Sequence, residues 1–167
     1  MELLGSPRAL FGGMASAEVT GLLERAMACY ADTQLAETLL WQAQREAPES
    51  LPVYFSLYKF YFYKGNLEQA EVAARMALLA AAVKGGFNAD WRSLQVDSAD
   101  WRDYAAAAHF YLFSLKALAF IRLRLGDTAE SSAILSKMLE LDPDDSVGAS
   151  VIRSISSSVS SLPLAGE

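Results

Sequence analysis

Apolar residues in the middle of the chain recur at helical spacing. Between Leu51 and Leu78, the residues Tyr54, Leu57, Tyr58 and Tyr61 stand at i, i+3, i+4 and i+7, on one helix face. Ser50 is a suitable N-cap, and Pro52 falls in the first turn, where a missing N–H costs nothing. Gly65 can take the left-handed conformation that ends a helix, and Asn66 can cap a second one, with Gln69 at the capping-box place. Ala70, Ala73, Ala74 and Ala77 give that second helix a face of small residues for close packing. The stretch therefore predicts a helical hairpin.

The same punctuation returns in frames that start at Ala17, Leu51 and Leu112, giving units 17–50, 51–84 and 112–145. Position 16 of each frame holds a cap (Asp32, Asn66, Asp127), and position 20 a small residue (Ala36, Ala70, Ser131). Position 24 holds Leu40, Ala74 and Leu135, and position 27 holds Ala43, Ala77 and Met138. Position 32 is Pro48 in the first unit and Pro143 in the third. In the second it is Ala82, so nothing stops that helix before Gly85-Gly86. An insertion, 85–111, follows, in which Ala-Asp-Trp-Arg begins at Ala89 and again at Ala99. Its first part reads as a loop, and Ser98 as the cap of a helix running to Leu125, roughly 40 Å long at the helical rise. A last helix over 145–158 carries Val147, Val151, Ile152 and Ile155 and can cover the final apolar face. Residues 1–16 read as a loose arm, 17–158 as a single domain and 159–167 as a Ser-rich tail.

These positions resemble tetratricopeptide repeats, and Gly126 to Asp145, GDTAESSAILSKMLELDPDD, is the best match. The resemblance implies an all-α fold, a right-handed superhelix of antiparallel helix pairs closed by a C-terminal capping helix. It covers about 100 of the 167 residues. Glu24 and Tyr58 depart from it, since position 8 is usually small. In such repeats the leading helices line a concave groove. Carried over position by position, that groove takes in Arg25, Phe55, Lys59, Phe62, Tyr63, Phe113, Lys116, Phe120 and Arg124. The expected ligand is an extended or helical segment of another protein with apolar anchors and a carboxylate or two. Trp91 and Trp101 are either a lid over this groove or anchors that pin the insertion. The chaperone-type carboxylate clamp is not supported, because Gly21 and Arg25 stand where it has Lys and Asn. Two alternatives stand beside a protein-binding adaptor or assembly helper. One is a chaperone similar to those of type III secretion translocators; the other is a self-association module, a homodimer. The GGFNADW stretch also resembles uncharacterised bacterial repeat proteins of nitrogen-fixation gene clusters.

Composition narrows the ligand. A net charge of −6 and a pI near 4.8 disfavour nucleic acid. Hydrophobic residues make up 53% and mean hydropathy is +0.17, a surplus suited to a groove or a subunit interface. No apolar run is long enough for a membrane span and the N-terminus lacks a cationic n-region, so the expectation is a cytoplasmic protein without membrane contact. Catalysis is poorly provided for. The single histidine, His109, and single cysteine, Cys29, have no third group implied, and Gly12-Gly13 and Gly85-Gly86 lack the rest of a phosphate loop. Asp142, Asp144 and Asp145 lack the glycine and glutamate of a calcium loop and read as helix punctuation around Pro143. The reading is a non-enzyme with no metal and no cofactor.

Overall fold

The computed structural model describes residues 15–160, with side chains to 158. These residues are all-helical. The helices are α1 (Ala17–Ala28), α2 (Thr33–Glu46), α3 (Leu51–Tyr63), α4 (Leu67–Gly85), α5 (Ala107–Arg124), α6 (Thr128–Leu141) and α7 (Ala149–Ser160). Short turns fold α1 on α2, α3 on α4 and α5 on α6 as antiparallel pairs, and α4 also packs along α5. The leading helices α1, α3 and α5 touch in series.

Local chemistry sets most of the boundaries. Ser16, Asp32, Asn66 and Asp127 each accept a backbone N–H three residues on, at 3.3, 3.1, 3.2 and 2.9 Å. Ser50 occupies the cap of α3 without making such a bond; Leu51 begins that helix and Pro52 sits in its first turn. Lacking a proline at Ala82, α4 runs to Gly85 and stops where Gly86 takes φ of 73°, in the left-handed region. Its buried face is Ala70, Ala73, Ala74, Ala77, Leu78, Ala81 and Ala82, six alanines and one leucine, so α3 and α5 can approach it closely.

Two expected boundaries are corrected. The helix expected from Ser98 begins only at Ala107, and Ser98 closes a short 3-10 turn, Val96–Ser98. Asp100 and Asp103 accept the N–H groups of Arg102 and Ala105 at 3.1 Å, folding this stretch into turns that compete with helix. The capping helix begins at Ala149 rather than 145 and reaches Ser160. Asp145 (φ 53°) and Gly148 (φ 78°) turn the chain first, and Asp145 Oδ2 accepts the Ser150 hydroxyl at 2.5 Å. Val147, Ala149 and Ile152 are buried, and α7 packs on α6 and α5. The expected arm, except Ala15 and Ser16, and tail residues 161–167 lie outside the described residues.

Candidate functional site on the leading helices

The residues expected to line the groove are dealt between core and surface. Phe55, Phe62 and Phe120 are only 1%, 8% and 5% exposed, so these rings are part of the protein's own core rather than an open wall. Lys116 is also buried. Its Nζ donates to the Val147 carbonyl at 2.6 Å and lies 5.0 Å from the Phe113 ring centre, clamping the loop ahead of α7. Burial lowers its pKa, and Asp145 opposes that. The expectation of an aromatic-walled trough is corrected at these four positions. On helices flanked on both sides, large rings gain more from the core than from solvent. Lys59 and Phe113 are half-buried, with the Lys59 Nζ 5.5 Å from the Phe55 ring centre. Arg25, Tyr63 and Arg124 are exposed.

At the α3–α5 junction the exposed Tyr63 and Arg124 border two of these buried rings. Phe62 lies 5.2 Å from Phe120 and 5.5 Å from Tyr63, ring centre to ring centre. The Arg124 guanidinium sits 5.8 Å from the Phe62 ring. The end of α1 is tied to the same region, because Lys64 Nζ donates to the Tyr30 carbonyl at 2.7 Å and lies 3.9 Å from the Tyr30 ring centre. An exposed tyrosine and an exposed arginine thus stand beside buried aromatic rings, a pairing that can hold apolar groups and a carboxylate.

Trp91 and Trp101 are not a lid. They are 5% and 4% exposed, and the 3-10 turn Trp91–Ser93 packs on α6, a trailing helix. Trp101 stacks edge-on to Phe87 at 5.5 Å, and Phe87 to Tyr111 at 5.2 Å. Tyr111 donates its hydroxyl to the Ala89 carbonyl at 2.6 Å, Trp101 its indole N–H to Gln95 at 3.2 Å, and Lys137 its ammonium to Leu94 at 2.9 Å. An open cleft of about 520 Å³ lies beside the insertion, lined by Arg92, Gln95, Val96, Lys137 and Glu140 among others. Its cations are already paired: Lys137 with Glu140 at 3.1 Å, and Arg92 with Glu130 at 3.6 Å.

Sequence reasoning missed the ion-pair hub at Arg122. This side chain meets Glu71 at 3.0 Å, Asp127 at 2.6 Å and Glu130 at 2.7 Å, and Arg75 joins Glu71 and Glu130 at 2.9 and 3.0 Å. The hub binds α4, α5 and α6 together. Sequence reasoning placed Tyr61 on the apolar face of its helix but missed its polar partners: its hydroxyl donates to Glu37 at 2.6 Å and accepts the Trp41 N–H at 2.7 Å. Burial, with Glu37 beside it, pushes that phenol up to about 12. One signal was available: Lys64 and Tyr30 occupy position 14 of adjacent frames, so stacking brings them together.

Among the described residues no His, Cys, Asp and Glu group is placed to hold a metal ion, and no helix is long and apolar enough to cross a membrane. The chain is similar to an uncharacterized 19.8 kDa protein in the nifW 5′ region of Azotobacter chroococcum mcd 1. The two share 34% identity over 124 residues, 70% of this chain and 67% of the relative. The chain belongs to that protein's family. No family model matches it, and no solved structure does.

Proposed function

We propose that this chain is a tetratricopeptide-like, non-enzymatic protein-binding module. It grips an acidic, apolar-anchored segment of another protein at the ends of its leading helices. The observation that carries this reading is the placement of Tyr63 and Arg124 beside Phe62 and Phe120, with Arg25 exposed on the neighbouring α1. An exposed Arg124 beside a buried ring, with Arg25 exposed on α1, is unusual company on a chain of net charge −6, and both cations match a ligand of opposite sign. The core rings hold these side chains in place, so little side-chain entropy is lost when a partner docks. The place of the relative beside nifW supports seeking that partner among the cytoplasmic proteins of a nitrogen-fixing cell.

The test uses surface positions, because alanine at Phe55 or Phe62 would cost about 3–5 kcal/mol of core packing and confuse binding with folding. Tyr63→Ala combined with Arg124→Glu should leave the helical circular dichroism unchanged. It should also remove specific partners from a pull-down in the native cell extract. Retention of the same partners by this variant would mean that another surface binds.

A further inference from the structure

Residues 1–14, MELLGSPRALFGGM, precede the described residues, and their chemistry is not that of an ordinary solvated arm. Met1, Leu3, Leu4, Leu10, Phe11 and Met14 are apolar, whereas segments that stay in water are poor in such residues. Gly5, Pro7, Gly12 and Gly13 disfavour a helix, so the stretch suits an extended ligand. Glu2 is its one carboxylate. Apolar anchors with a carboxylate are the class of segment that the leading helices are proposed to grip. Those helices offer the matching face. Arg25 and Lys59 share position 9 of adjacent frames, and Tyr63 and Arg124 share position 13, one helical turn further on the same side. Phe113 and Lys59 are half-buried there, and the Lys59 ammonium lies 5.5 Å from the Phe55 ring centre. Arg8 is the arm's one cation, and six residues, about 20 Å when extended, separate it from Glu2. Glu2 can therefore meet the cations of the face without bringing Arg8 among them.

The described chain starts within reach of that face. Ala15 packs on the core, its carbonyl accepts the Thr20 hydroxyl at 3.5 Å, and Ser16 caps α1, the first leading helix. α1 touches α3, and α3 touches α5. Their C-terminal ends are level, because Lys64 meets Tyr30 and Phe62 meets Phe120. Neighbouring helix axes stand about 8–10 Å apart, and α1 rises about 18 Å, so Arg124 at the far corner is roughly 25 Å from Ala15. Fourteen extended residues reach up to about 46–50 Å. We propose that residues 1–14 are a tethered ligand of this face, anchored by Leu10 and Phe11 with Glu2 toward Lys59 and Arg124, which a partner must displace. The inference rests on the partner site proposed above and adds its regulation. A short tether gives an effective concentration in the millimolar range, so even a weak arm holds the site until a better segment arrives.

Two probes on the full chain test this. With Phe11 replaced by the photoreactive p-benzoylphenylalanine, irradiation at micromolar concentration should join position 11 to α3 or α5 of the same chain, as mapped by mass spectrometry of the monomer band. Adducts confined to other elements overturn the inference. Adducts formed only between chains overturn it too and give the face to a second copy. The other probe is a fluorescent peptide of residues 1–14. Leu10→Ser combined with Phe11→Ser, its helical circular dichroism unchanged, should bind that peptide at least about tenfold more tightly than wild type, whose own arm holds the site. Equal binding by the two proteins, or none by either, overturns the inference. Neither probe involves a partner, so the two readings fail separately. Adducts on α3 and α5, alongside partner capture that Tyr63→Ala with Arg124→Glu leaves intact, would sink the partner site and the displacement but not the docking of the arm.

Discussion

Lys64 joins two hairpins with one ammonium, hydrogen-bonded to the Tyr30 carbonyl and lying over that ring. Lys64→Met keeps most of the apolar stem but loses both contacts, and should lower stability by about 1–2 kcal/mol in urea unfolding. Arg122 carries more, since Glu71, Asp127 and Glu130 all turn toward it. Arg122→Met leaves three carboxylates crowded together and should cost about 1–3 kcal/mol by the same measurement. Lysine should rescue only partly, having no planar fork to share among them. His109 is buried between the Tyr104 and Phe113 rings, and burial lowers its pKa despite Asp142 and Asp103 nearby. The unfolded chain therefore takes up this proton more readily than the folded one. Stability from a neutral His109 is present above its ordinary range and is lost as pH falls through it toward the lower folded value. Wild type should lose stability between neutral and mildly acidic pH, and His109→Gln should flatten that slope in denaturant titrations.

At the scale of elements, each helix end has its own cause. Gly86 sits at φ 73° with open space around its α-carbon. Gly86→Ala should therefore cost about 1 kcal/mol from backbone conformation alone, without a steric penalty, as read from the thermal midpoint. The insertion is held by side chains rather than by helix, and Trp101 is its central anchor against Phe87 and Tyr111. Trp101→Ala should cost about 3–5 kcal/mol and make residues 85–106 the first site of limited proteolysis. The caps of α2, α4 and α6 could be read from Asp32, Asn66 and Asp127, because a cap is decided by atoms three residues apart. The start of α5 could not. Ser98 is chemically fit to cap, but Trp101 is drawn inward by rings on either side of it in sequence, and the aspartates around it hold turns.

Across the whole molecule, each hairpin leaves a face that the next one covers, and α7 covers the last. A chain ended before Gly148 would lose Ala149 and Ile152 from the core and open that face. It should bind a hydrophobic dye and form large particles in light scattering. The sequence by itself determined the all-helical class, the three hairpins, the run of α4 past Ala82 and most caps. Those rest on hydrophobic spacing and on bonds between near neighbours along the chain. Only the tertiary structure decided which aromatic rings became core, that both insertion tryptophans face inward, and which cations stay in water. Phe55 and Tyr63 belong to one helix and look alike in sequence, yet one is 1% exposed and the other 46%. Their fates differ because neighbours brought by distant parts of the chain enclose one ring and cover the other only in part, and no local pattern encodes that enclosure.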